Sequence, residues 1–337
     1  MSEPISTPAA QPPGTWRRLV RNRVALAAMI ILAAIALMAI FGPSIFPYSP
    51  EKVTPHSLHP PSWLPLGEAQ AKLDSDHGGA VGKWQHPFGT DMNGRDVFSR
   101  VIQGARISLI VGLCGALVSF FIGTTYGLIS GYVGGRTDNV MMRFIEMLHS
   151  VPRLIIVIVA IFTFAPALEG FLHAAQSSKM SIHFIPKGAE GYAKVIILIL
   201  CLGLIEWLAM ARIVRGQVLA LKEQQFVLAA RALGQSHARI LVRHLLPNLI
   251  GVIVVYLTLT IPAVILDESF LSFLGLGIND PQASWGSLLS DGKNVINPIH
   301  CYWWLLLFPA AAMSLTLVAL NFLGDAIRDA LDPRARS

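Results

Sequence analysis

Charge is what this chain has least of. Asp, Glu, Lys and Arg make up 14% of its 337 residues, against about 25% in an ordinary soluble domain. Apolar residues make up 53%, and mean hydropathy is +0.57. A soluble protein of this size cannot hide that much apolar surface, so lipid is the expected solvent. Cysteine is scarce too. Cys114, Cys201 and Cys301 are too few and too scattered for a disulfide framework or a zinc site. The first two fall inside apolar runs and read as small hydrophobes. Nucleotide-binding and hydrolytic signatures are missing. The Gly-Lys pairs at 82–83 and 292–293 lack the upstream Gly and the following Ser or Thr of a P-loop. No His-Glu-x-x-His, paired-Cys motif or nucleophile elbow occurs. An enzyme reading therefore has no residues to stand on, and neither a cofactor, a metal nor nucleic acid is expected on this chain.

What the chain has is long apolar runs. A membrane span takes about 20 residues, because ~30 Å of hydrocarbon is crossed at ~1.5 Å per residue. Six segments fit: Val24 to Phe41, Ile107 to Ile129, Leu154 to Leu168, Val195 to Ala211, Leu249 to Leu266 and Tyr302 to Gly324. The runs are continuous, not alternating, so they are helices. The fold class expected is an all-α integral membrane protein with six transmembrane helices. The third run is short. It is expected to begin upstream of Pro152, drawing in Met147, Leu148 and Val151, with Pro152 kinking it. Tyr302, Trp303 and Trp304 fit an interfacial aromatic belt.

Orientation follows from Lys and Arg. With the N-terminus inside, segments 1–23, 130–143, 212–248 and 325–337 hold 15 of them, and the outer segments 42–103, 169–193 and 269–300 hold 8. Both termini are therefore expected in the cytoplasm. The first apolar run exceeds the ~7–15 residues of a signal peptide core, so it is expected to remain as a span.

The organisation expected is a cytoplasmic tail over 1–23, whose Pro-, Ser- and Thr-rich residues 1–15 read as disordered. The first transmembrane helix follows over 24–46. An outer segment over 47–103 comes next, then a five-helix core over 104–325, and a cytoplasmic tail over 326–337. Within the outer segment, Asn93-Gly94 signals a turn. After it, Val97, Phe98, Val101 and Ile102 share one helical face and Arg95, Ser99 and Gln103 another. Asp96 and Arg100 stand i,i+4. This predicts a separate interfacial helix before the second span.

Loop 212–248 is the longest inner loop. Phe226, Ala230 and Leu233 recur at helical spacing, Gly234 stops the helix as a left-handed cap, and Ser236 can cap a second helix carrying Ile240, Leu241, Leu245 and Leu246. Pro247 ends the loop. The unit is helix, glycine turn, helix, with one apolar and one basic face. It fits either a docking site or a lipid-facing linker.

Acids within spans carry a functional hypothesis by default. Glu206 is expected either to pair with Arg212 or Lys194, or to face a pore. Asp267-Glu268 is expected to end the fifth span, with Asp267 capping the following turn. Glu268 is a candidate contact for a cationic cargo group.

The stretch Leu228-Ala229-Ala230-x3-Gly234-x9-His244-x-Leu246-Pro247 resembles the EAA loop of ATP-binding-cassette importer permeases, with Leu228 in place of the family's Glu and His244 in place of its Ile. Phe88-Gly-Thr-Asp-Met-Asn-Gly-Arg-Asp-Val97, Gly104-Ala-Arg-Ile-Ser-Leu109, Leu271-Ser-Phe-Leu-Gly-Leu-Gly277 and Leu323-Gly-Asp-Ala-Ile-Arg-Asp-Ala-Leu-Asp-Pro333 are similar to the C-type permease of dipeptide, oligopeptide and nickel importers. The resemblance covers about 86–334. It implies a type I importer permease fold that pairs with a second, related permease. It further implies two cytoplasmic ATPase subunits, which bind ATP and Mg, and an extracytoplasmic solute-binding protein. Leu228, Ala229, Ala230, Arg231, Gly234, Leu246 and Pro247 would form the coupling helix seated in an ATPase groove. Glu206, Asp267 and Glu268 would be candidates along the substrate path. The cell location implied is the bacterial inner membrane. The competing reading is an ion-coupled secondary transporter. Internal repeats and broken midplane helices mark many such folds, and no convincing half-to-half similarity is present here.

Overall fold

The computed structural model describes residues 19–46, 49–64, 86–177, 192–296 and 301–331, and within them the regular structure is helical apart from one isolated bridge between Thr90 and Asp96. The tail expected to be disordered, 1–15, lies outside the described residues, as do much of the long outer segment and of 169–193.

The helices are α1 (Arg23–Ile45), α2 (Val97–Val133), α3 (Gly135–Ser150), α4 (Arg153–Ser177), α5 (Ala193–Leu221), α6 (Gln225–Ala232), α7 (His237–Phe273), α8 (Trp285–Val295) and α9 (Trp304–Leu331). Six of them, α1, α2, α4, α5, α7 and α9, are long and apolar enough to cross a membrane. The face of the bundle bearing α6 is called the loop face below, and the opposite one the far face.

The bundle is organised on the pairing of α2 with α5, with α7 packed against α2 and α5 and α9 against α1 and α7. Small residues allow the central approach. Gly123, Gly127 and Gly131 stand four apart on α2 and so lie on one stripe. A methyl group at Gly127 would lie 2.5 Å from the Ala211 carbonyl oxygen and 2.8 Å from the Val214 Cβ. The two backbones therefore touch along that stripe, as apolar spans without a hydrophobic driving force tend to do. Around this seam lie two apolar clusters. One, towards the far face, joins Ile107, Val111, Ile161, Leu198, Leu202, Val264 and Leu271. The other, towards the loop face, joins Tyr132, Met210, Val214, Val218, Val227, Ile240, Leu245 and Leu249.

Several boundaries differ from those expected. The separate interfacial helix is instead the first turns of α2, which runs unbroken from Val97. Its two faces are both buried, because 86–96 and α8 cover the side that would otherwise meet water. Pro152 breaks the chain where a kink is expected. α3 ends at Ser150, Val151 is extended, and α4 starts at Arg153, as the steric clash on a residue preceding proline requires. The fifth span does not end at Asp267-Glu268 but continues to Phe273. Nor does Pro247 separate it from the loop. Leu241–Leu245 forms a π turn, in which the Leu246 N–H donates to the Leu241 carbonyl. That wider turn gives room to a proline whose ring crowds the preceding turn and which has no N–H to offer it. Trp304 leaves the aromatic belt. It is buried under the outer segment, beside Gly89.

Candidate functional site

The loop face presents a helical hairpin. α6 ends at a glycine turn, where Gly234 has φ +72° and the Gln235 N–H donates to the Ala230 carbonyl (3.1 Å), a Schellman closure of the helix end. Ser236 stands at the start of α7, but its side chain makes no capping bond there. His244 Nε2 instead meets Gln235 Oε1 at 2.8 Å and pins the turn to the α7 shaft. His244 therefore does by hydrogen bonding what an apolar residue at that position would do by packing.

The two alanines of the motif face opposite ways. Ala230 is buried with Val227, against Ile240 and Leu245. Ala229 is exposed, together with Phe226, Leu228 and Leu233, and Leu233 is 80% exposed. Arg231 lies over the Tyr132 ring (4.9 Å to its centroid), and Tyr132 Oη meets His237 Nδ1 at 2.9 Å. The hairpin is thus anchored to α2 from inside and shows solvent an apolar tip. Gly234 is exposed, and a methyl group built there would meet nothing within 4 Å. Leu246 is half-buried and Pro247 exposed.

Below the hairpin, Asp138 at the start of α3 accepts from Arg215 Nε (2.5 Å) and Nη2 (2.6 Å) on α5 and from Ser130 Oγ (2.5 Å) on α2. Bonding to the Arg215 guanidinium holds the Asp138 carboxyl below the usual carboxylate range, although burial pushes the other way. Lys222 Nζ donates to the Gly131 carbonyl at 2.9 Å. Three helix ends are tied together under the loop.

A second ionic group sits deep between spans. Arg153 Nη1 lies 3.3 Å from Glu206 Oε1, and Arg153 Nη2 lies 2.9 Å from Asp267 Oδ1. Glu206 therefore pairs with neither Arg212 nor Lys194, and Asp267 is an ion-pair member, not a turn cap. Glu268 is fully buried. Ser108 (3.1 Å), Ser269 (3.3 Å) and Ser272 (2.8 Å) donate hydroxyls to it. In this arrangement its carboxyl group is enclosed by protein on every side. Its carboxylate organises the far face. Ser108 Oγ also accepts from the Trp285 N–H (3.3 Å), and Ser272 Oγ from that of Ile278 (2.9 Å).

The far face holds a third group. Arg100, nearly wholly buried, is bonded to Asp91, to Asp280 (3.0 Å) and to Asp291 (3.3 Å), and Arg95 reaches Asp91 (2.8 Å) and Asp280 (3.0 Å). Arg100 thus leaves Asp96, its expected i,i+4 partner. Asp96 caps α2 by accepting from the Ser99 N–H (2.8 Å) and lies 3.0 Å from His86 Nδ1.

Sequence reasoning missed Arg153, Asp138 and Asp280. Arg153 and Asp138 stand near helix ends in sequence, where charges ordinarily reach solvent. Only the packing of three helices reveals their partners.

A six-span bundle of this kind is a multi-pass integral membrane protein. A family model described as binding-protein-dependent transport system inner membrane component matches residues 123–337, and one described as the N-terminal TM domain of oligopeptide transport permease C matches residues 14–61. The chain belongs to the family of binding-protein-dependent transport system inner membrane components, which are multi-pass inner-membrane proteins. It is 43% identical over 323 residues to the dipeptide transport system permease protein DppC of Bacillus subtilis, covering 95% of this chain and 85% of that one. It is 41% identical over 322 residues to the oligopeptide transport system permease protein OppC of Haemophilus influenzae (95% and 88% covered). With OppC of Escherichia coli the identity is 41% over 320 residues (95% and 90% covered).

Proposed function

We propose that this chain is the transmembrane permease subunit of an ATP-driven importer for di- or oligopeptides or similar small solutes. It forms half of a translocation pore with a second, related permease. An extracytoplasmic solute-binding protein delivers cargo at the far face. Two ATPase subunits, which bind ATP and Mg, dock at the loop face, so both termini are cytoplasmic. The chain itself catalyses nothing.

The observation that carries the reading is the hairpin. Val227 and Ala230 bind it to the bundle, while Phe226, Leu228, Ala229 and Leu233 are left exposed around a glycine turn. An anchored apolar tip at the most basic loop fits a separate protein subunit better than lipid, because Arg231, Arg239 and Arg243 stand exposed around it. Leu228 offers no charge, so docking rests on shape and on Arg231. Names of the relatives support peptide cargo, and the placement of Glu206 and Asp267 between spans supports their lying on its path.

Coupling needs an element with two arrangements that the ATPases favour unequally. Closure of the ATPases moves the hairpin, and α7 carries the motion into the bundle. The test is uptake by the whole complex in vesicles. Replacing Gly234 with Trp is expected to abolish ATP-dependent uptake while the chain still inserts. Uptake that persists with no ATPase subunit present would overturn the reading in favour of an ion-coupled transporter.

A further inference from the structure

The depth of Arg153 is unusual for an arginine. On α5 the charges that bound the apolar run are Lys194 and Arg212, about 27 Å apart along a helix, close to the hydrocarbon thickness. Glu206 stands six residues from Arg212, or about 9 Å inside that boundary. The Glu206 and Asp267 side chains are each only 13% exposed, while that of Arg153 is 55% exposed. The guanidinium therefore lies across two sheltered carboxylates as a cover, with its own outer side free.

Two further features bear on it. Arg153 opens α4 directly after the break at Val151 and Pro152, so no preceding helical turn holds it in place. It also borders a cavity of about 380 Å³, lined by Leu148, Val151, Ile156, Cys201 and Leu204. Two carboxyl groups share this sheltered place with a single guanidinium, in a setting where every charge is expensive unless paired. An ammonium that enters beside the guanidinium brings three donors of its own to the same carboxyl groups. The planar fork of Arg spans both acids at once, which a Lys point charge cannot do.

We propose that Arg153 is the resting counter-ion of the Glu206–Asp267 pair, and that the protonated amino terminus of a passing peptide displaces it, making the pair a selective way-station for cargo with a free ammonium. The proposal rests on the reading of the chain as a peptide-importer permease.

The experiment uses the whole complex in proteoliposomes and compares uptake of a dipeptide with uptake of its N-acetyl form. The binding protein contributes the same factor in every variant, so the ratio of the two rates reports on the permease. The double variant Glu206→Gln/Asp267→Asn is expected to lower that ratio about tenfold. Arg153→Gln is expected to slow release, lowering kcat for the free-amine peptide at least threefold more than for the acetylated one, and Arg153→Lys to fall between Arg153→Gln and wild type. A ratio unchanged within twofold in these variants would overturn the proposal. Should they fail to assemble, the wild-type complex decides. Carbodiimide coupling during transport is expected to join the cargo amine to Glu206 or Asp267, and coupling confined to other carboxylates overturns the proposal. Absence of ATP-dependent uptake of either peptide by wild type is a different outcome, since it removes the importer reading itself.

Discussion

Arg215 closes on Asp138 through two parallel hydrogen bonds of 2.5 and 2.6 Å, joining the start of α3 to α5. The carboxyl is held below its ordinary range by that pairing. Its stabilising contribution is therefore complete above ~4, the usual carboxylate value, and is lost as pH falls through the lowered folded value. Asp138→Asn should cost about 2 kcal/mol, less than the ~3–5 of a fully buried pair, because the Arg215 side chain remains 31% exposed. Thermal unfolding of the detergent-purified complex from pH 7 to pH 3 checks this. The variant should show a shallower loss of stability in acid than wild type.

The glycine stripe on α2 makes a sharper prediction. Gly127→Leu should prevent accumulation of folded protein, because its first side-chain atom would already lie 2.5 Å from a backbone oxygen. Gly127→Ala should cost about 1–3 kcal/mol through overpacking. Gly216→Ala is the control. A methyl there meets nothing within 4 Å, so it should stabilise the helix by about 0.5–1 kcal/mol. Membrane yield and melting temperature decide.

Adjacent residues of the hairpin should separate stability from docking. Val227 is wholly buried and Leu228 is 50% exposed. Val227→Ala should destabilise the chain by about 1–2 kcal/mol. Leu228→Ala should leave its melting temperature unchanged while weakening co-purification with the ATPase subunits. Pull-down from solubilised membranes, run beside thermal unfolding, tells the two apart.

Glu268→Gln should behave as a packing defect. One of its oxygens would become a donor facing serine hydroxyls that now donate to it, at a cost of about 1–3 kcal/mol. Uptake per assembled complex should keep the wild-type KM. A raised KM with unchanged stability would instead make Glu268 a cargo contact.

Six apolar runs were enough to read the spans, because backbone satisfaction in lipid leaves few alternatives; α1 and α9 differ little from their expected cores, whereas α5 runs on to Leu221, into the stretch expected as loop. The hairpin was legible for another reason, since a glycine cap and helical spacing are local signals. Long-range ionic partners were not. Arg100 meets Asp280 across 180 residues, and Arg153 stands after a proline that reads as a loop. Neither distance nor depth is written in one stretch of chain. The differences at Asp96 and Asp267 share that cause, since tertiary packing chose the partner in each, whereas the break at Val151 is the local effect of Pro152.

The π turn at Leu241–Leu245 leaves α7 in one piece of 37 residues, about 55 Å long, from the hairpin to Phe273. No joint lies between the two ends except the bend that Pro262 allows. If the hairpin moves as proposed, the displacement at His237 travels along one continuous helix to Pro262, beyond which Asp267 stands. On that proposal the helix would serve as a connecting rod, with Pro262 as the bend built into it.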